Sequence, residues 1–178
     1  EMILPSMNKD IDFIHGSQNY FIIVRNGTII TVFDTISQEK EGEIVSNESK
    51  IVDCKIDQTF GLIVFLSSND ILHIHSLQNM NQIKAIDLND FHPRQFLITS
   101  RWGFILVECL NCLILYDVNG MFIKRIEKDY SIKYWTSIRC YKDFDYVVFE
   151  NDREEIGIFE AFNPSTTLQI LTQVNSPV

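Results

Sequence analysis

The sequence predicts an all-β protein built from four repeats of a four-stranded unit, and three observations carry that expectation. First, apolar segments recur at a fixed step: Phe60-Gly61-Leu62-Ile63-Val64-Phe65, Trp102-Gly103-Phe104-Ile105-Leu106-Val107 and Phe144-Asp145-Tyr146-Val147-Val148-Phe149 begin 42 residues apart. A weaker copy, Tyr20-Phe21-Ile22-Ile23-Val24, begins 42 residues before Leu62. Second, a later strand of each unit ends in a similar tag: Val32-Phe33-Asp34, Ile74-His75-Ser76, Leu115-Tyr116-Asp117 and Ile158-Phe159-Glu160, whose last residues step by 42, 41 and 43. An apolar-then-polar ending suits a strand that leaves a buried layer for solvent. Third, β-branched and aromatic residues dominate, which favours strands, and no long run has helical spacing. A period of about 40–45 residues made of short strands is the signature of β-propeller blades, which need a neighbour on each side to bury their faces.

The elements follow in order. Blade one, over 8–46, has strands near Ile11–His15, Tyr20–Arg25, Thr28–Asp34 and Glu43–Val45. Its middle strands meet at Asn26-Gly27, the hairpin turn in which both positions need φ > 0. Blade two, over 47–90, has Ile51–Ile56, Leu62–Leu66, Ile71–Ser76 and Ile83–Leu88. Blade three, over 91–130, has Phe96–Thr99, Phe104–Cys109, Leu113–Val118 and Phe122–Glu127, with Asn119-Gly120 expected to form the same turn as Asn26-Gly27. Blade four, over 131–172, has Ile132–Cys140, Tyr146–Glu150, Ile156–Ala161 and Leu168–Leu171, with a turn at Asn163-Pro164 before the closing strand. Residues 173–178 form a polar tail. The second strand of every blade is apolar on both faces, as a strand sandwiched between neighbours should be. Trp102 and Trp135 are expected in the core, Trp102 because it sits inside the repeat.

Four blades stand at the low end of the propeller range, and the chain opens on Glu1 rather than Met. The expectation is therefore a portion of a larger ring of about seven blades, completed by the remaining blades of the same protein. The competing reading is a closed four-bladed ring that takes a small ligand or ion in its central channel, with enzymatic activity open to it.

Composition bounds the function classes. The chain has 178 residues, 46% hydrophobic and 12% aromatic, enough for a packed core and unlike a disordered segment. Apolar runs of five to six residues fall far short of the roughly 20 needed to span a bilayer. No signal peptide is visible. The net charge is −9, and the 15 basic residues are scattered, with the tightest cluster at Lys124, Arg125 and Lys128. Nucleic-acid binders draw most of their affinity from basic residues on phosphates, so no nucleic acid is expected as partner. Direct binding to an anionic membrane is disfavoured on the same ground, and no direct membrane insertion is expected.

Candidate chemistry is sparse. Cys109-Leu110-Asn111-Cys112 is a CxxC across a hairpin turn, a geometry that zinc knuckles use, but no second pair supplies the remaining ligands. With Cys54 and Cys140 it reads as reduced cytoplasmic thiols. His73 and His75 alternate on one strand and share a face, which is half a metal site or an exposed or hydrogen-bonded pair on the blade's polar face. Glu150, Asp152, Glu154 and Glu155 surround Arg153 in a charged, solvated turn. No nucleophile elbow, zincin helix or phosphate-cradling loop is present. The expectation is no catalytic residue, no cofactor and no metal, hence not an enzyme. Asn26-Gly27-Thr28 and Asn47-Glu48-Ser49 match glycosylation sequons, which matter only in the further reading of an extracellular, glycosylated propeller.

Part of the chain resembles a known family. Ser100-Arg101-Trp102-Gly103-Phe104-Ile105-Leu106-Val107, the stretch from Leu115-Tyr116-Asp117 through Asn119-Gly120 to Lys124-Arg125, then Phe144-Asp145-Tyr146 and Ile158-Phe159-Glu160-Ala161-Phe162 are similar to the closing WD40-type propeller of BEACH-domain proteins. The resemblance covers residues 95–162. It departs at Asp143, where a glycine is expected, and in lacking the Gly-His and Trp-Asp signatures. It implies a non-catalytic scaffold for other proteins in vesicle trafficking, lysosome-related organelles or autophagy, cytoplasmic and peripheral to endomembranes. Protein recognition through blade rims and loops is the role the residues themselves suggest.

Overall fold

The computed structural model describes residues 11–47, 49–139, 145–162 and 169–173. Among these residues sixteen strands form four antiparallel sheets of four, each in plain sequence order. The first sheet holds β1 (Ile11–Gly16), β2 (Tyr20–Arg25), β3 (Ile29–Asp34) and β4 (Lys40–Val45). The second holds β5 (Ile51–Asp57), β6 (Leu62–Ser67), β7 (Ile71–Ser76) and β8 (Gln82–Asp87). The third holds β9 (Pro93–Ile98), β10 (Ile105–Cys109), β11 (Cys112–Tyr116) and β12 (Phe122–Glu127). The fourth holds β13 (Ile132–Arg139), β14 (Asp145–Asn151), β15 (Glu155–Glu160) and β16 (Gln169–Gln173). The chain divides into two compact units, Glu1–Asp87 with the first two sheets and Leu88–Val178 with the last two. Among the described residues no helix is long and apolar enough to cross a membrane.

Each unit buries a core between its two sheets. In the first, Ile22 and Val24 of β2 and Ile30 and Val32 of β3 pack with Ile63 and Phe65 of β6. In the second, Leu106 of β10 and Leu113 and Leu115 of β11 meet Val147 and Phe149 of β14 and Phe159 of β15. The middle strands are apolar because they lie inside. Every residue of β6 and of β10 is buried. β14 departs from the expectation of two apolar faces, since Tyr146, Val148 and Glu150 alternate with its core residues and stay half-exposed. The outer strands carry charge, as Lys84 and Asp87 do on β8 and Lys124, Arg125 and Glu127 on β12. Charged edge strands resist pairing with a second chain.

The repeat runs deeper than the apolar motif. Asp12, Val52, Arg94 and Lys133 are each the second residue of a sheet's first strand, and each is an extra residue opposite an uninterrupted partner. Glu41, Ile83, Ile123 and Leu171 are the corresponding extra residues of the fourth strands. Such bulges bend a strand and raise its twist, so all four sheets are twisted at the same two places.

The turns explain the tags. Asp34 Oδ1 accepts the amides of Ile36 and Ser37, Ser76 Oγ that of Gln78, and Asp117 Oδ1 those of Asn119 and Met121. The polar residue that closes the tag is thus a cap that folds the next turn back on its strand. At Asn26-Gly27 φ is 52° and 65°, and Thr28 N–H donates to Arg25 O at 3.1 Å, the two-residue turn expected. Asn119-Gly120 differs. Only Gly120 of the pair has positive φ, at 74°, and Gly120 N–H donates to Asp117 O. The Asp117 side chain stabilises a wider turn than the Asn-Gly pair would make by itself. Cys140, Asp143, Phe144 and the Asn163-Pro164 turn lie outside the described residues.

Candidate functional site

In a four-stranded meander the first and third turns lie at one end of the sheet. In the second unit that end carries the turn 99–104, the turn 117–121 and residues 161–162 after β15. Trp102, placed in the core by its position in the repeat, is instead 51% exposed here. The reason is the turn. Gly103 has φ 68° and donates to Thr99 O, so β10 starts at Ile105 and Trp102 stands outside the strand. Trp135 does pack against the core.

Trp102 is held firmly for an exposed side chain. The carboxylate of Asp145, itself buried, accepts Arg101 N–H and Trp102 N–H through its two oxygens, at 2.8 Å each. Ser137 Oγ accepts Ser100 N–H at 3.0 Å, and Thr99 Oγ1 accepts Phe104 N–H at 3.0 Å. Charge-assisted acceptance of two backbone amides is strong and directional, so the turn's conformation is fixed across two sheets. The same end of the sheets carries exposed Met121, Phe122 and Phe162. Phe162 sits 5.8 Å from Phe104 between ring centroids, with Lys124 Nζ 5.2 Å from its ring. The Arg101 guanidinium lies 5.8 Å from the Trp102 ring. Burial beside this patch lowers the pKa of Lys124, against the pull of Glu160. Rigid aromatic groups flanked by cations are the composition of a recognition surface.

A buried polar network lies at the other end of these sheets, where β13 begins and β10 ends. Glu108 is fully buried; Oε1 accepts Ile132 N–H at 2.6 Å and faces Lys128 Nζ at 3.1 Å, and Oε2 accepts Gln95 Nε2–H at 2.8 Å. Lys128 also donates to Tyr130 O at 2.6 Å. Burial pushes the Tyr130 hydroxyl up to about 12. Both oxygens of Glu108 and the Lys128 ammonium have partners, and the bond to Ile132 N–H ties the third sheet to the fourth.

In the first unit the two histidines do share a face. Register pairs Phe65 with His73 and His73 with Ala85, all towards the first sheet. The rings of His73 and His75 are 6.5 Å apart, and both pack on Phe65. They line a cavity of about 360 Å³ between β4 and the outer strands of the second sheet. His73 Nδ1 is 3.3 Å from Gln82 Oε1, and its Nε2 is 3.4 Å from Ser67 Oγ. Burial lowers the pKa of His75 most, with His73 acting in the same sense and the Met80 carbonyl opposing both. Among the described residues no group of three or more His, Cys, Asp or Glu side chains converges as a metal site. His15, for which the sequence suggested no partner, accepts Ile56 N–H at its Nδ1, 3.3 Å away, and so joins β1 to β5.

The remaining candidates fall apart spatially. Cys109 and Cys112 flank the β10–β11 turn, both buried and free. Burial first, and then Cys112, push the Cys109 thiol up to about 12, which removes its thiolate at neutral pH. Asn26 is exposed in its hairpin, and Asn47 edges the histidine cavity, while Glu48 lies outside the described residues. In the acidic turn, Asn151 Oδ1 accepts the amides of Arg153 and Glu155, and Arg153 pairs with Asp129 at 2.9 Å.

Neither a protein-family model nor a curated protein matches the chain. Solved structures do. Two structures of Hsv2 from Kluyveromyces lactis, a β-propeller protein, superpose with TM-scores of 0.59 and 0.58 at 14% and 13% identity. The alignments cover 85% of this chain and 45% and 46% of Hsv2, so the chain spans less than half of Hsv2's length. At that identity the likeness shows the fold alone, and with four antiparallel four-stranded sheets that fold is a β-propeller.

Proposed function

We propose that this β-propeller chain is a non-catalytic scaffold that recognises other proteins through the aromatic end of its second unit. One observation carries the reading: an exposed tryptophan whose backbone is pinned by a buried carboxylate, Trp102 on Asp145. An exposed aromatic is costly to keep in water, and ordering it beforehand lowers the entropy lost on binding. Arg101 beside Trp102 and Lys124 over Phe162 suit a partner that brings an apolar side chain together with a carboxylate.

The similarity of residues 95–162 to the closing propeller of BEACH-domain proteins supports a place in vesicle trafficking or autophagy, in the cytoplasm at the surface of endomembranes. The geometry adds a physical link, since Asp145 of the Phe-Asp-Tyr motif binds the backbone at the Trp-Gly motif. Further blades of the same protein, making a ring of about seven, belong to the same proposal.

The test is capture of partners from cytosol by the wild-type chain and by Trp102→Ala. The expected outcome is a set of proteins lost from the variant, whose stability changes by less than about 1 kcal/mol because the side chain is half exposed. Identical recovery by the two proteins would remove Trp102 from the recognition surface.

A further inference from the structure

The cavity of the first unit contains a group that the fold leaves unanswered. His75 is 7% exposed, and its Nδ1 lies 2.9 Å from the carbonyl oxygen of Met80. A carbonyl can only accept, so the proton resides on Nδ1 and Nε2 presents a lone pair. That Nε2 is buried and has no hydrogen-bond partner among the described residues. An orphaned buried acceptor costs about 1–3 kcal/mol, and native structures seldom keep one without a reason.

The surroundings define what would answer it. Ile44 of β4, Phe65 of β6 and Ile71 and Ala85 of the next strands give the cavity apolar walls, and Asn47, Asn69 and Gln82 add uncharged polar edges. Among the described residues no charged one lines it. Those residues offer a cation no carboxylate and an anion no ammonium or guanidinium, and so favour a neutral occupant. A volume of about 360 Å³ lies at the small end of the usual range for ligand sites, of about 300–1,000 Å³. The site is built deliberately. Gly42 has no side chain where Met80 packs, and Met80, with φ 60°, aims its carbonyl at His75 and so sets the tautomer.

We propose that this cavity binds a neutral small molecule or partner side chain that donates one N–H or O–H to His75 Nε2 and lays an apolar body against Phe65 and Ile44. Zinc at the histidine pair is the competing occupant. His73 Nε2 already sits beside Ser67 Oγ, whose own partners are Ile71 O and Asn69 Oδ1. Plain water is the other competitor, and it would need several polar partners to be held.

The experiment titrates the 178-residue chain, labelled with 15N-histidine, with phenol, which has the donor, and with anisole, which lacks it. The imidazole spectrum should show His75 protonated on Nδ1, and phenol should move its Nε2 resonance. Phenol should bind about tenfold tighter than anisole, and His75→Phe should erase that difference while leaving anisole unchanged. The tautomer and the Nε2 response are read on wild-type protein, so they stand even where the variant does not fold. N-acetyl-tyrosinamide separates the sources: binding equal to that of phenol assigns the cavity to a side chain of a partner, and binding by phenol alone assigns it to a free small molecule. Equal affinities for phenol and anisole, or an Nε2 resonance that phenol does not move, would show a cavity that holds only water and overturn the proposal. A response of both histidines to Zn²⁺ without one to phenol would overturn it as well.

Discussion

Removing the Glu108 carboxylate tests how the second unit is held together. Glu108 is fully buried, and the Lys128 side chain is 1% exposed, so neither charge can return to water when its partner is lost. Glu108→Leu leaves the ammonium without its counter-charge and Ile132 N–H without its acceptor. Breaking a buried pair from one side costs about 3–5 kcal/mol, a large part of the roughly 5–15 kcal/mol that keeps a domain folded. Adding Lys128→Met removes the stranded charge. The double variant then retains chiefly the unsatisfied Ile132 N–H, at about 1–3 kcal/mol, and should be more stable than Glu108→Leu alone. Urea unfolding followed by tryptophan fluorescence measures both, with core-packed Trp135 as one reporter. Because the pair is shielded from solvent, adding salt should change the single variant's loss little. A loss below about 1 kcal/mol for Glu108→Leu, or a double variant no better than the single one, would refute the argument that this charge pair is desolvated.

Other perturbations follow the same logic. Gly157→Ala would drive a methyl group into the Phe149 ring, which is buried and stacked on Tyr130 at 5.4 Å, and should cost about 1–3 kcal/mol in the same assay. Gly27→Ala meets only ordinary contact with Lys50 but must hold φ 65°, so about 1 kcal/mol is expected, seen as a lower melting temperature. Burial lowers the pKa of both His15 and His75 below 6.5. The unfolded chain then takes up protons first, so their contribution is present above pH 6.5 and is lost as pH falls toward their folded values. Unfolding midpoints measured across that window should decline more steeply for wild type than for His75→Phe, and equal slopes would remove His75 from the effect.

Much of this architecture was legible in the chain because it is local. Alternation and apolar runs place each strand within a few residues, and the fixed step of the repeat tells that every sheet is the same object. Asn26-Gly27 announces its turn because only residues that tolerate positive φ fit there. The tags were readable as pattern, although their work as caps needed the amides that Asp34 and Asp117 collect. The bulges were silent, since Asp12, Val52, Arg94 and Lys133 share no chemistry and are alike only in register. Trp102 misled because membership in an apolar repeat says nothing about the turn at Gly103 that expels it.

The sequence alone determined the strand order, the repeat and the absence of any familiar catalytic motif, because these depend on residues near one another along the chain. Tertiary structure decided the rest. Asp145 meets Trp102 across 43 positions, and Gln95 reaches Ile132 across 37. That His75 Nε2 is buried without a partner among the described residues is visible only once the strands are packed. Such pairings are set by the packing of one sheet on another, and no local pattern encodes the distance between them.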